Sequence, residues 1–321
     1  MITLLNLNNM SEEMGRFTDK EDVRQFCSSY GCDGIEMLTF DAVTDERIPQ
    51  ELVLGAHLPA YNCWMDLWTE NNAALLTEFG NEKTIAEYYG GTTREALLSR
   101  FRTSLDYAQK LQVKYVVFHI SEVKIEESFT YDFAYTDEQV VDAAADWVNQ
   151  MLDGRSYTFD FLMENLWWPG LNFRNPAIAR RLLAQVHYDK KGIMLDTGHL
   201  LNTNLELTTQ EEAVAYIHEV LDRHEDILPY IKGIHLHQSL SGAFVKDSRR
   251  HPIQFAGEYW ERFSQIFSYI FQVDTHKPFT APGVKELVER IAPDYLTYEL
   301  ISSSRKEHEA LLKAQSEVFL K

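Results

Sequence analysis

Short apolar runs alternate with longer amphipathic stretches along almost the whole chain, and that alternation predicts strands and helices in turn. The runs fall at 2–7 (ITLLNL), 34–40 (GIEMLTF), 52–61 (LVLGAHLPAY), 115–121 (YVVFHIS), 159–165 (FDFLMEN), 191–201 (KGIMLDTGHLL), 231–238 (IKGIHLHQ) and 295–300 (YLTYEL). Helical spacing appears at 19–30, closed by Gly31, and at 93–111, which opens on Thr92-Thr93-Arg94-Glu95. It appears again at 137–152, from Pro176 onward, at 209–224, at 284–291 and from Ser304 to the end. Pro176 suits an early helical position, where its missing N–H costs nothing.

Eight strands with intervening helices over 321 residues predict an α/β fold, a single (β/α)8 TIM barrel spanning residues 1–321. One connection breaks the rhythm. Residues 239–283 follow the seventh strand and carry a helix of their own at 259–271. A connection of that length suggests an insertion that works as a lid or substrate wall within the barrel domain. The stretch after the third strand reads as a loop bearing Tyr61, Trp64 and Trp68.

Composition narrows the classes. With 45% hydrophobic and 25% charged residues the chain reads as an ordinary soluble globular protein. Its net charge of −19 disfavours a nucleic-acid or anionic-membrane surface. Three cysteines without C-x-x-C spacing fit a reducing compartment, the N-terminus lacks the basic region of a signal peptide, and no apolar run is long enough to cross a bilayer. These features predict a cytoplasmic protein and leave its oligomeric state open.

The chemistry gathers where apolar runs end. His57, His119, Glu164, Asp196, His235 and Glu299 each stand at about the point where a strand opens into a loop, and His199 follows Asp196 by three residues. Parallel barrel strands bring such ends to one mouth. Carboxylates with imidazoles suit zinc, then manganese, iron or magnesium, better than calcium. Glu164, Asp196, His235 and Glu299 alone make a four-ligand site. Adding His57, His119, His199 and the pair Asp274 and His276 makes nine ligands, enough for two or three ions rather than one. His218-Glu219 is followed by Asp222, so no H-E-x-x-H motif is present. Nucleotide-binding glycine loops and nucleophile elbows are also missing.

The motifs GAHLPAY, VVFHIS, LMENLWWPG, GIMLDTGHL, KGIHLHQS, VDTHKPF and YLTYEL resemble, in order, the metal motifs of endonuclease IV-type AP endonucleases (AP endonuclease family 2), within the xylose isomerase-like TIM-barrel superfamily. The resemblance implies a trinuclear zinc site held by His57, His119, Glu164, Asp196, His199, His235, Asp274, His276 and Glu299. In the sugar isomerases and epimerases of the superfamily one ion is held at positions matching Glu164, Asp196, His235 and Glu299, and the two glutamates handle the proton. The chain departs from the endonuclease pattern at His237-Gln238, where Asn-Asp is expected, and at Leu166-Trp167-Trp168-Pro169-Gly170, which replaces a small glycine-rich turn. An alternative placement of the Asp-x-His pair falls on Arg249 and His251 and leaves the site incomplete.

His237 is expected to pack behind the site, and Glu36 to touch substrate or form a structural ion pair. Tyr61, Trp64, Trp167 and Trp168 are candidates for stacking on a sugar or base, and Arg249 and Arg250 for phosphate contacts; their plain alternatives are core wedges and a solvated loop. Two activities follow, each with Glu164 and Glu299 as catalytic residues. The first is multinuclear phosphoester hydrolysis on a small phosphorylated or sugar-containing substrate. The second is single-metal sugar or sugar-phosphate isomerisation or epimerisation with the glutamates as acid and base. A non-catalytic metal-dependent binding protein is a third reading.

Overall fold

Each predicted apolar run contributes a parallel strand: β1 (Ile2–Asn8), β2 (Gly34–Leu38), β3 (Val53–His57), β4 (Tyr115–His119), β5 (Asp160–Glu164), β6 (Lys191–Asp196), β7 (Ile231–His235) and β8 (Tyr295–Tyr298). In the computed structural model, which describes residues 1–38, 43 and 45–319, they pair in chain order and β8 closes onto β1. Thr39 and Phe40, the predicted end of the second strand, lie outside the described residues.

Two apolar cores result. Inside the barrel, Leu4, Tyr115, Val117, Leu162, Met194 and Tyr295 plug the lower half. Outside it, the other strand faces pack against the helices, for example Val116, Phe118 and Phe161 against Phe101 and Trp147. The interior plug places a floor beneath the strand ends, so polar groups above it cluster in a pocket closed from below.

The predicted helices are present, with local reasons for their ends. Thr136 with Gln139 and Thr209 with Glu212 form capping boxes on helices Asp137–Leu152 and Gln210–Arg223. Asn175 caps Pro176–Gln185, with Pro176 in its first turn. The helix after β3 starts one residue later than its sequence signal: Thr93 caps Arg94–Leu111 by accepting from the Ala96 amide.

The largest difference from expectation is between β3 and that helix. Residues read as a loop form three short helices, Met65–Trp68, Asn72–Phe79 and Glu82–Tyr89. Asn71 and Asn81 cap the last two, and Gly80 and Gly90, both at positive φ, end them. The long excursion after β7 carries helices Gly242–Ser248 and Tyr259–Val273 before the chain returns to helix Val284–Ile291.

Candidate metal centre at the barrel mouth

Strand register sets the candidate ligands level with one another. His119 pairs with Glu164 across β4 and β5, and Asp196 with His235 across β6 and β7. His57 ends β3, and Glu299 follows β8 directly. All nine predicted ligands converge, in three groups whose donor atoms lie within 4.8 Å of one another: His57, His119 and Glu164; Glu164, Asp196, His235 and Glu299; His199, Asp274 and His276. Glu164 belongs to two of them. Its Oε2 lies 3.1 Å from His57 Nε2 and 3.2 Å from His119 Nε2, and its Oε1 lies 3.2 Å from His235 Nδ1.

The histidines are oriented from behind. His57, His199 and His276 each donate Nδ1–H to a main-chain carbonyl, of Leu58 (2.8 Å), Asn165 (2.9 Å) and Glu299 (3.1 Å). Each ring therefore presents Nε2 to a carboxylate of the cluster. His235 is reversed: its Nε2 faces the buried Glu36 carboxylate at 2.9 Å, and its Nδ1 points into the site. Anchoring one ring nitrogen so that the other is free to ligate is the usual support of metal-binding imidazoles.

Asp196 both caps and faces the cluster. Oδ1 accepts from the His199 amide at 2.6 Å at the start of the short helix Thr197–Leu201, while Oδ2 lies 2.9 Å from His237 Nε2. Gly198 lies within that helix. It is needed for space, because a Cβ there would sit 2.0 Å from the His237 ring. His276 holds a positive φ of 45°, a costly conformation for a non-glycine residue, with Nε2 2.8 Å from Asp274 Oδ2. Asp274 Oδ2 also lies 3.0 Å from His199 Nε2, so Asp274 and His276 are the pair brought to the site, while His251 is exposed.

Electrostatics match a cation site. Burial alone would raise the Glu164 and Asp274 carboxyls, but neighbouring imidazoles, His235 and His119 for the first and His276 and His199 for the second, hold both well below the usual range. Burial lowers the His199 and His235 imidazoles, yet Asp196 and Asp274 around the first and Glu299, Glu36 and Glu164 around the second drive them well upward. His276 rises to about 9 against its own burial, chiefly through Asp274. His119 moves the other way, lowered by burial beside His57. Buried carboxylates at this density require positive charge, from imidazolium protons or from metal ions.

The donor set fits divalent metal. The Nδ1 atoms of His119 and His237 are buried without hydrogen-bond partners, so the cluster retains donor capacity that its internal contacts do not use. Mixed imidazole and carboxylate donors suit zinc or manganese.

Other expected contacts fall elsewhere. Trp64, Trp167 and Trp168 are buried core wedges; Trp64 donates to the Ser121 carbonyl and packs against Trp147 with the rings tilted by 51°, while Trp167 packs on Trp168 with its ring centroid 5.4 Å from that of His199. Tyr61 does line the mouth. Arg249 lies over the Tyr131 ring, and Arg250 pairs with Asp247 at 3.6 Å; neither lines the cavity above the ligands. Two residues carry more than their sequence signal suggested. Glu36 accepts from the Tyr115 and Thr297 hydroxyls while holding His235. His237 joins His276 and Glu299 in a further potential ligand group and stacks on the His276 ring at 3.9 Å.

The family described as xylose isomerase-like TIM barrel matches residues 24–270. The chain belongs to this family. No curated protein sequence shows significant similarity to this xylose isomerase-like barrel. Its fold is shared with endonuclease IV from Thermus thermophilus (14% identity, TM-score 0.54, covering 100% of this chain and 99% of that one). It is shared too with a D-tagatose 3-epimerase-like protein (13%, 0.52, 100% and 97%) and with the IOLI protein, solved with a bound zinc atom (12%, 0.54, 100% and 97%). At these identities the likeness is one of fold. Among the described residues no helix is long and apolar enough to cross a membrane.

Proposed function

We propose that this barrel is a multinuclear metal-dependent hydrolase of small phosphoesters. The observation that carries the reading is the sharing of Glu164 between two ligand groups beside a complete third, with four of the histidines anchored through their outer nitrogens. One ion would leave most of these donors without a role. When bound, divalent ions supply Lewis-acid activation of water and of the scissile ester. His57, His119 and Glu164 would hold one ion, Glu164, Asp196, His235 and Glu299 a second, and His199, Asp274 and His276 a third.

The chain's own residues do the rest. Main-chain carbonyls and Glu36 fix the imidazoles, the buried floor excludes water from below, and Glu299 stands beside His235 with Oε2 3.0 Å from Nδ1. A second reading, sugar isomerisation at a single ion, is favoured by one feature. Glu164 and Glu299 flank His235 Nδ1 at 3.2 and 3.0 Å, an arrangement suited to moving a proton between two carboxylates.

The deciding measurement is metal per chain, by elemental mass spectrometry, in wild type and in His57→Ala/His119→Ala. The hydrolase reading expects two or three ions, at least one fewer in the double variant, and hydrolysis of small phosphodiesters that the variant loses. A single ion per chain, retained with full activity in the double variant, would overturn it. Glu299→Gln is expected to abolish turnover under either reading.

A further inference from the structure

The cavity above the ligands holds about 420 Å³, the size of a small-molecule site. Its floor is polar, with His57, His119, His199, Asp274, His276 and Glu299. Its wall is not. Phe263, Phe267 and Phe271 of helix Tyr259–Val273 face it together with Tyr61, Tyr88 and Ile301, and no Lys or Arg lines it among the described residues.

The three phenylalanines recur every four residues and form one ridge. Phe263 and Phe267 stack with centroids 5.3 Å apart, and Phe267 and Phe271 meet edge to face at 4.7 Å. The helix is seated through buried Tyr259, Ile266, Tyr269 and Val273, with Phe263 packed partly against the core beside Tyr259 and Tyr88, so its core contacts do not require Phe267 and Phe271. Phe267 and Phe271 are 41% and 50% exposed. Large exposed rings aligned over a polar floor in one continuous cavity mark a binding surface. With no Lys or Arg on the wall among the described residues, a polyanion would find no countercharge beyond the floor itself, which disfavours nucleic acid and multiply phosphorylated sugars.

We infer that the Phe263, Phe267 and Phe271 ridge binds the aromatic or alkyl portion of a small substrate of low charge, whose oxygens reach the ligand cluster below. The polar half of this statement rests on the metal-centre reading; the apolar half does not. The substrate class is then an ester bearing a hydrophobic group rather than a nucleic acid or a free sugar phosphate.

The test uses the full chain and matched probes. Calorimetry on zinc-loaded protein compares benzohydroxamate with acetohydroxamate, two chelators that differ by a phenyl group, and 2-naphthol is titrated into zinc-stripped protein. The expected result is a preference for benzohydroxamate of about tenfold or more, from burial of one ring. In Phe267→Ala/Phe271→Ala the preference shrinks to about twofold or less and 2-naphthol binding is lost. Both side chains are solvent-exposed, so the variant is expected to fold, which thermal melts check. Equal hydroxamate affinities with no 2-naphthol binding would overturn the inference. If neither hydroxamate binds but 2-naphthol binding depends on the ridge, the ridge stands and the metal-centre reading falls. A wild-type dimer that the double variant dissociates, with no 2-naphthol binding, would assign the ridge to a second copy of the chain and also overturn it.

Discussion

Glu36 shows how a residue remote from the cavity governs the site. It is buried in β2 beneath His235, accepts from the Tyr115 and Thr297 hydroxyls, and fixes which His235 nitrogen faces the cluster. Glu36→Gln keeps the shape but weakens that hold. Zinc affinity, measured by competition with a chromogenic chelator, should fall about 10–100-fold while the far-UV spectrum is unchanged. Gly198 makes a steric counterpart. Gly198→Ala drives a methyl into the His237 ring and should cost about 1–3 kcal/mol in urea unfolding. Because the three nearest atoms to that methyl all belong to the His237 ring, adding His237→Ala should return much of the loss; purely additive costs would refute the contact.

Elements were legible in the sequence to different degrees. Strands whose apolar runs end in a candidate ligand appear where expected, because burial on both faces leaves a continuous apolar signature. The three helices between β3 and Arg94–Leu111 were not read, since each is short and their apolar residues pack in several directions. Their signal lay in punctuation: Asn71 and Asn81 before them and Gly80 and Gly90 after them. Asn81→Ala removes a side chain that accepts from the Thr84 amide at 2.9 Å, and should lower stability by about 1 kcal/mol in denaturant titration. Tyr89 of the same helix donates to the Cys63 carbonyl near the mouth, so the helix also braces the loop that leaves β3. The stretch 239–283, expected from its length to act as a lid or substrate wall, carries Asp274 and His276 and sets Phe263, Phe267 and Phe271 along the cavity.

For the whole molecule, the C-terminal helix Arg305–Ser316 closes the ring against the N-terminal helix Lys20–Ser29. Arg305 reaches Asp22 at 3.0 Å, and His308 sits edge-on to Phe26. Burial, with Arg16 and Arg305 nearby, pushes the His308 imidazole down to about 4. The unfolded chain takes up that proton near pH 6.5, whereas the folded chain does not until about pH 4. The stability His308 contributes as a neutral ring is therefore present above about 6.5 and lost progressively as pH falls toward about 4. His308→Leu should show a shallower decline across that window in melts followed by circular dichroism. Metal acts on the same scale, since ions that bind only the folded cluster add stability by mass action. Chelator dialysis should lower the melting temperature and zinc should restore it; at a free concentration about 100 times Kd the gain is about 2.7 kcal/mol. An unchanged melting temperature would argue against a folded-state metal site.

The sequence by itself determined the barrel and which His, Asp and Glu side chains stand at its mouth, because alternating apolar runs and the residues at their ends are local properties. Tertiary structure decided what those residues face. Trp64, Trp167 and Trp168, readable as stacking platforms, are buried, Trp64 against Trp147 and Trp167 against Trp168 and His199, and Arg249 lies over Tyr131. Phe267 and Phe271, which a helical apolar pattern assigns to a core, remained exposed because another face of their helix was already seated. Burial depends on every element packed around a residue, and that information is spread over the whole chain, not contained in any one stretch of it.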